Sequence, residues 1–257
     1  MATYFETGHP KNVANLLKYI QYLQTLGASY NPSNTSITLP AITAIHALAD
    51  TKQILVKTSE DNWKTQTNIR EQTFASLNAF SVQLFSVLKT TDASEQTLED
   101  FLFLVNKMRG SDNSSAKTAN AKSNVTASNS EETEPPVTKS TSQQSFDQKT
   151  EHFSKMILIL TGVTTYLPNE TQFQIATLNT QLANLIAVNT NATTAKIQLT
   201  AARIDRNTYF YALNTGWLDL IKKSKEYIGA VFGKQSQQYK AAIAFKFVRV
   251  ITKKKAS

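Results

Sequence analysis

The chain has 257 residues, 41% hydrophobic and 18% charged, with seven glycines, six prolines and no cysteine. That composition excludes a disulfide scaffold, a thiolate metal site, a cysteine nucleophile and a collagen-like repeat, and a chain of this length buries a core without covalent staples. The formal net charge of +8 is uneven: residues 1–109 carry nine basic and nine acidic groups, residues 110–150 four and five, and residues 151–257 fourteen and five.

The first ten residues lack a basic segment followed by an apolar run of signal-peptide length. The longest uninterrupted apolar stretch, residues 156–160, is far short of the roughly 20 needed to cross a bilayer, so the expectation is a soluble, cytoplasmic protein. Val13, Leu16, Leu17, Ile20 and Leu23 recur at three and four, which predicts a first helix with Gly27 as a left-handed C-terminal cap. After a Tyr30-x-Pro32 loop, Thr35 is the expected N-cap of a second helix carrying Ile42, Ile45, Leu48 and Leu55. Residues 57–62 lack Gly and Pro but are rich in Ser, Thr, Asn and Asp, which predicts a tight turn. A third helix places Trp63, Phe74, Leu77, Leu84 and Leu88 on one stripe, and a fourth, after Ser94, carries Leu98, Phe101, Leu102, Val105 and Met108. Residues 110–150 then turn to Ser, Thr, Asn, Ala and Lys with Pro135 and Pro136 adjacent, a composition that predicts a disordered linker.

Beyond the linker the pattern returns at a constant offset of 136, with ten identities: Tyr30/Tyr166, Pro32/Pro168, Thr35/Thr171, Ala47/Ala183, Thr58/Thr194, Arg70/Arg206, Phe74/Phe210, Leu77/Leu213, Asn78/Asn214 and Leu84/Leu220. Gly162 takes the part of Gly27, and Thr171 that of Thr35, with Gln174 three residues on. A helix bearing Leu178, Leu182, Leu185 and Ile186, a turn over residues 189–194, and a helix bearing Leu199, Phe210, Leu213 and Leu220 that ends near Gly229 or Gly233 complete the second copy. Ile243, Phe245, Phe247 and then Val248 and Val250 begin with strand-like alternation, a helix or an extended tail lying on the bundle. The expected fold is all-α: two tandem up-and-down bundles of about four helices each, lobe one at residues 1–109, a linker at 110–150, and lobe two at 151–257 with a basic C-terminal tail.

Few residues point to chemistry. Arg70 and Arg206 fall on the apolar stripe of helix three in both copies, where an unpaired guanidinium is costly. Each is read either as an anion or carboxylate site beside Tyr30 or Tyr166, or as an arginine whose stem packs while its head stacks on a ring or caps carbonyls. Asn78 and Asn214 read as helix-tethering hydrogen-bond residues. His9, His46 and His152 have no ligand partner at metal spacing, and no glycine-rich phosphate loop or Gly-x-Ser-x-Gly elbow is present. Glu60, Asp61 and Glu71 become Lys196, Ile197 and Asn207 at the offset of 136, so a duplicated acid–base site is excluded. No cofactor is expected. The strongest signal is charge: Lys222, Lys223, Lys225, Lys234, Lys240, Lys246, Arg249, Lys253, Lys254 and Lys255 stand against Glu226 alone, interleaved with Tyr227, Phe232, Tyr239, Phe245 and Phe247. Such a segment either contacts phosphates and stacks on bases, or is a solvated tail whose aromatics belong to the core.

The run Tyr166-x-Pro168-Asn169, Ala202-Arg203-x-x-Arg206-Asn207, Lys225-x-Tyr227-Ile228, then Phe232-Gly233, Ser236 and Tyr239-Lys240 resembles a group of uncharacterised bacterial proteins, chiefly from Bacteroidetes-type organisms, some labelled haemagglutinin-like. The resemblance covers most of residues 153–250 and, more weakly, 13–109. It implies a helical bacterial protein and transfers no catalytic residue. The expected function is a non-enzymatic helical-bundle interaction or scaffold protein. The alternative is nucleic-acid or anionic-surface binding through segment 222–255.

Overall fold

The computed structural model describes residues 8–110 and 144–250, and among these every regular element is helical. In chain order the α-helices are α1 (Gly8–Leu26), α2 (Leu39–Ala75), α3 (Leu77–Leu88), α4 (Glu95–Arg109), α5 (Phe146–Gly162), α6 (Ile175–Tyr211), α7 (Trp217–Phe232) and α8 (Gln237–Ala244). Most of the expected linker, residues 111–143, lies outside the described residues. Its expected end at 150 is moved forward, because Ser145 caps α5 by accepting from the Gln148 N–H at 3.2 Å.

The two expected turns do not form. α2 and α6 each run unbroken for 37 residues, through residues 57–62 and 189–194. The reason is local. Neither stretch holds a glycine or proline, and the threonines satisfy themselves inside the helix: Thr58 Oγ1 donates to the Ile54 carbonyl at 3.0 Å and Thr193 Oγ1 to that of Asn189 at 3.0 Å. Pro40 sits in the first turn of α2, where its missing N–H costs no helical bond.

Other boundaries move for similar reasons. Gly27 has the expected left-handed backbone at φ +55°, but Gly162 is the last residue of α5 and Val163 caps it at φ −94°. Thr35 and Thr171 open short 3-10 turns, Thr35–Ile37 and Thr171–Phe173, in place of capping α-helices. Asn34 caps the first of these, accepting from the Ser36 N–H at 3.0 Å, and Thr38 Oγ1 accepts from the Ala41 N–H at the start of α2 at 3.4 Å. The 3-10 turns and the two long helices nevertheless begin and end at positions 136 apart. Tyr30 Oη donates to the Ile37 carbonyl at 2.5 Å and Tyr166 Oη to that of Phe173 at 2.9 Å, so the paired tyrosines fasten the paired loops in the same way.

The offset fails after the long helices. The buried residues of α3 are Leu77, Ser81, Leu84 and Leu88, while α7 buries Trp217, Ile221, Ser224, Ile228 and Gly229. The burial patterns therefore align 140 positions apart, the loop after α6 supplying the extra residues. Leu213, matched by sequence to core Leu77, is 78% exposed in that loop, and Asn214 adopts φ +65° there.

The chain packs as two compact units, one from residues up to Lys64 and from Ala195 on, the other from Thr65–Thr194. Neither is a sequence half. In the first unit α1, the Tyr30 loop and α2 up to Lys64 come from the front of the chain, and α6 from Ala195, α7, α8 and the C-terminal segment from the back. Its core gathers Leu16, Tyr19, Leu23, Ile42, Phe210, Trp217, Ile221 and Ile228. The two long helices pair here through Tyr209 Oη donating to the Ile45 carbonyl at 3.3 Å, a 2.6 Å Lys52–Asp205 bridge, and Lys196 3.9 Å over the Trp63 ring. The second unit packs Phe74, Leu77, Leu84 and Leu88 with Phe101, Phe153, Leu178 and Leu185. There Phe80 stacks on Phe173, and Phe85 on Phe101.

Because each unit needs both halves of the chain, two fragments, 1–110 and 144–257, should purify as a 1:1 complex when coexpressed, and neither alone should melt cooperatively. Two independently folded fragments by calorimetry would refute the exchanged arrangement. A second expectation concerns His152, buried in the second unit with both ring nitrogens lacking a hydrogen-bond partner. Burial holds its pKa below the usual 6.5, against a smaller opposing pull from Glu151. The unfolded chain therefore binds the proton more readily, and stability falls as pH drops below 6.5. His152→Phe should flatten that acid limb in urea titrations between about pH 7.5 and 5.

Candidate functional site

The site grows from one helix, α7. Trp217, Ile221, Ser224 and Ile228 form its buried spine, and Leu218, Lys222 and Lys225, at i, i+4 and i+7, run along the adjoining flank. Trp217 meets Phe210 and Phe247 edge-on, with ring centroids at 5.1 and 5.7 Å. Ser224 is tied by two 2.7 Å bonds to Tyr19 and Tyr30. Since Tyr30 Oη donates its one proton to Ile37, Ser224 donates to Tyr30 and Tyr19 donates to Ser224, a fully ordered buried chain of hydroxyls. Burial pushes the Tyr19 phenol far above its usual 10 and raises Tyr30 as well, so both stay protonated and the chain keeps its direction.

The segment 240–250, left open between helix and extended tail, divides: it is helical to Ala244 in α8, turns extended at Phe245, and has no regular structure over residues 246–250. Phe245 and Phe247 are half-buried while Lys246 and Val248 face solvent, a period of two that ends there, since Arg249 is exposed and Val250 half-buried. With no strand to pair with, this strap takes its hydrogen bonds from side chains. Asn12 donates to the Val248 carbonyl at 2.7 Å and accepts from its N–H at 3.0 Å, and Asn15 donates to the Lys246 carbonyl at 2.8 Å. Lys225 Nζ donates to the Phe245 carbonyl at 2.6 Å, and the Arg249 guanidinium donates to the Tyr211 carbonyl.

Strap, α7 and the end of α8 line an open cleft of about 370 Å³. Lys222, Lys225, Lys246 and Arg249 line it, with Asp219 as the acidic member and Leu218, Ile221, Ile243, Tyr211, Phe245 and Phe247 as apolar wall. Asp219 is engaged, its Oδ2 accepting from the Asn214 N–H at 3.0 Å. Lys225 is half-buried, 4.7 Å from the Phe247 ring centroid. Desolvation, with repulsion from Lys246 added, lowers its pKa to about 8.

The other sequence candidates separate. Lys223 points to the opposite flank, donating to the Asn214 carbonyl at 3.4 Å, and Lys240 is exposed on α8 outside the lining. Lys253, Lys254 and Lys255 lie outside the described residues. Arg206 is 1% exposed, with Nε and Nη2 donating to Asn207 Oδ1 at 3.2 and 2.9 Å, and so presents no surface to a ligand. Arg70, in the other unit, lies 4.1 Å over the Phe146 ring and donates to Asn189 Oδ1 at 3.3 Å. Tyr227, Phe232, Tyr239, Phe245 and Phe247 all pack against the core of the first unit. Of the aromatics expected to interleave with lysines, Tyr227, Phe232 and Tyr239 are taken up by packing, while Phe245 and Phe247 pack on one side and line the cavity on the other. Gly229 makes room for one of them, since a Cβ there would stand 2.9 Å from the Tyr239 ring. The Phe232-Gly233, Ser236 run is a helix stop and start: Gly233, at φ +85°, ends α7, and Ser236 Oγ accepts from the Tyr239 N–H at 3.0 Å to begin α8. Comparison with family models, curated proteins and solved structures finds no match to this chain.

Sequence reasoning missed Tyr211, Leu218 and Asp219 as cavity members, although the i, i+4, i+7 spacing of Leu218, Lys222 and Lys225 was there to be read. Because Asn12 supplies both partners of one strap residue, Asn12→Ala should cost about 1–3 kcal/mol in chemical denaturation and speed hydrogen exchange at Val248. An unchanged midpoint would mean the strap is held by its aromatics alone.

Proposed function

We propose that this chain is a non-enzymatic helical interaction protein that engages an anionic partner, a nucleic-acid strand or another phosphate-rich surface, through its basic segment. The observation supporting this is the convergence of Lys222, Lys225, Lys246 and Arg249 on one cavity against a single carboxylate that already has a partner. Recognition on this reading is electrostatic, through cations that meet phosphates and carry no sequence information. No helix among the described residues is long and apolar enough to cross a membrane. The reading also takes the chain as a tandem duplication, of bacterial type, in which only the second copy acquired the basic cavity.

A protein partner is the second reading, favoured by Ile54, Leu55, Ile197 and Ile204, which leave between 49% and 63% of their surface exposed on α2 and α6 in the first unit.

Fluorescent single- and double-stranded oligonucleotides should bind the full chain with strong salt dependence. Four phosphate contacts correspond to a loss on the order of 10²-fold between about 50 and 200 mM salt. Lys222→Ala with Lys246→Ala should weaken binding and flatten that slope. Absence of binding at the lower salt would overturn the nucleic-acid form of the proposal and send the search to the apolar face.

A further inference from the structure

A polyanion needs only cations along a surface. The site here is concave, and about 370 Å³ falls in the range of small-molecule sites, roughly 300–1,000 Å³. Its lining is mixed: Lys222, Lys246 and Arg249 are exposed cations, and Leu218, Ile243, Phe245 and Phe247 supply the apolar part. Both walls are held in place: α7 by the Trp217 packing and the Ser224 hydroxyl chain, the strap by Asn12, Asn15 and Lys225.

We infer that this cavity binds a small organic anion, a phosphate carried on a flat apolar body, with the phosphate among Lys222, Lys246 and Arg249 and the body against Phe245, Phe247 and Leu218. The inference rests on the anionic reading for the sign of the ligand and departs from it in size and shape. A phosphate placed among these cations brings negative charge toward Lys225, whose pKa burial and the nearby Lys246 lower to about 8. Binding raises that pKa, so near pH 8 the complex takes up a proton from solution. An apolar body also displaces water from the aromatic wall, a contribution that inorganic phosphate does not make.

The test is calorimetric titration of the full chain with phenyl phosphate, inorganic phosphate and phenol near pH 8, in two buffers of different ionisation enthalpy. The expected result is phenyl phosphate bound at least tenfold more tightly than inorganic phosphate, phenol not bound, and proton uptake near pH 8 that shrinks toward pH 7, where Lys225 is already charged before ligand binds. Lys222→Ala and Lys246→Ala, both at solvent-facing positions, should each weaken phenyl phosphate severalfold, while Lys223→Ala should not. Equal affinity for the two phosphates, or equal losses in Lys223→Ala and Lys246→Ala, would overturn the inference. Oligonucleotide binding without phenyl phosphate binding would overturn it and leave the anionic reading standing. Phenyl phosphate binding without oligonucleotide binding would support it and remove the polymer.

Discussion

The uninterrupted helicity of α2 and α6 governs everything built around it. Two 37-residue helices without an internal glycine or a mid-helix proline carry the chain past the point where a turn would have returned it to its own half. Their threonines, which elsewhere compete with helix formation, bond back to carbonyls four residues earlier and remove the incentive to break. Because each helix continues, α3 and α4 close on α5 and the start of α6, while α7 and α8 close on α1 and the start of α2. The compact units are consequences of that continuity, and the stability of each becomes a property of the whole chain.

Within the first unit the polar interior is economical. Tyr19, Ser224 and Tyr30 use each hydroxyl proton once and end on the Ile37 carbonyl, so three buried oxygens are satisfied and α7 is fastened to the loop before α2. Asn12 applies the same economy to the strap, its amide serving as the missing edge of a sheet. Arg206, 1% exposed, is resolved differently from Arg70: one is enclosed beside Asn207, the other stacked on Phe146. Identical residues at identical offsets thus meet unlike neighbours.

The basic segment is several things at once. Its aromatics pack against the core, Phe245 and Phe247 also lining the cavity, Lys223 belongs to the loop after α6, Lys225 fastens the strap, and the remaining lining cations, Lys222, Lys246 and Arg249, are exposed. Net charge marked the region, but apportioning it required knowing which flank of α7 the strap covers.

Helix type, the left-handed backbone at Gly27 and the burial of Phe74, Leu77, Leu84 and Leu88 arise from local chemistry, which is why the sequence alone determined them, although the expected single stripe loses Trp63 to a separate cluster and breaks between α2 and α3. The offset of 136 likewise marked two like segments, whose loops and long helices do coincide. The missing turns were not legible, because Ser, Thr and Asn suit both a turn and a back-bonded helix, and only packing along the whole helix chooses between them. The pairing of elements was decided by tertiary structure for the same reason: a helix face specifies that it must be covered, not which half of the chain covers it. The cavity required both, lysines at helical spacing that the sequence shows and an extended strap laid across them that only the fold supplies.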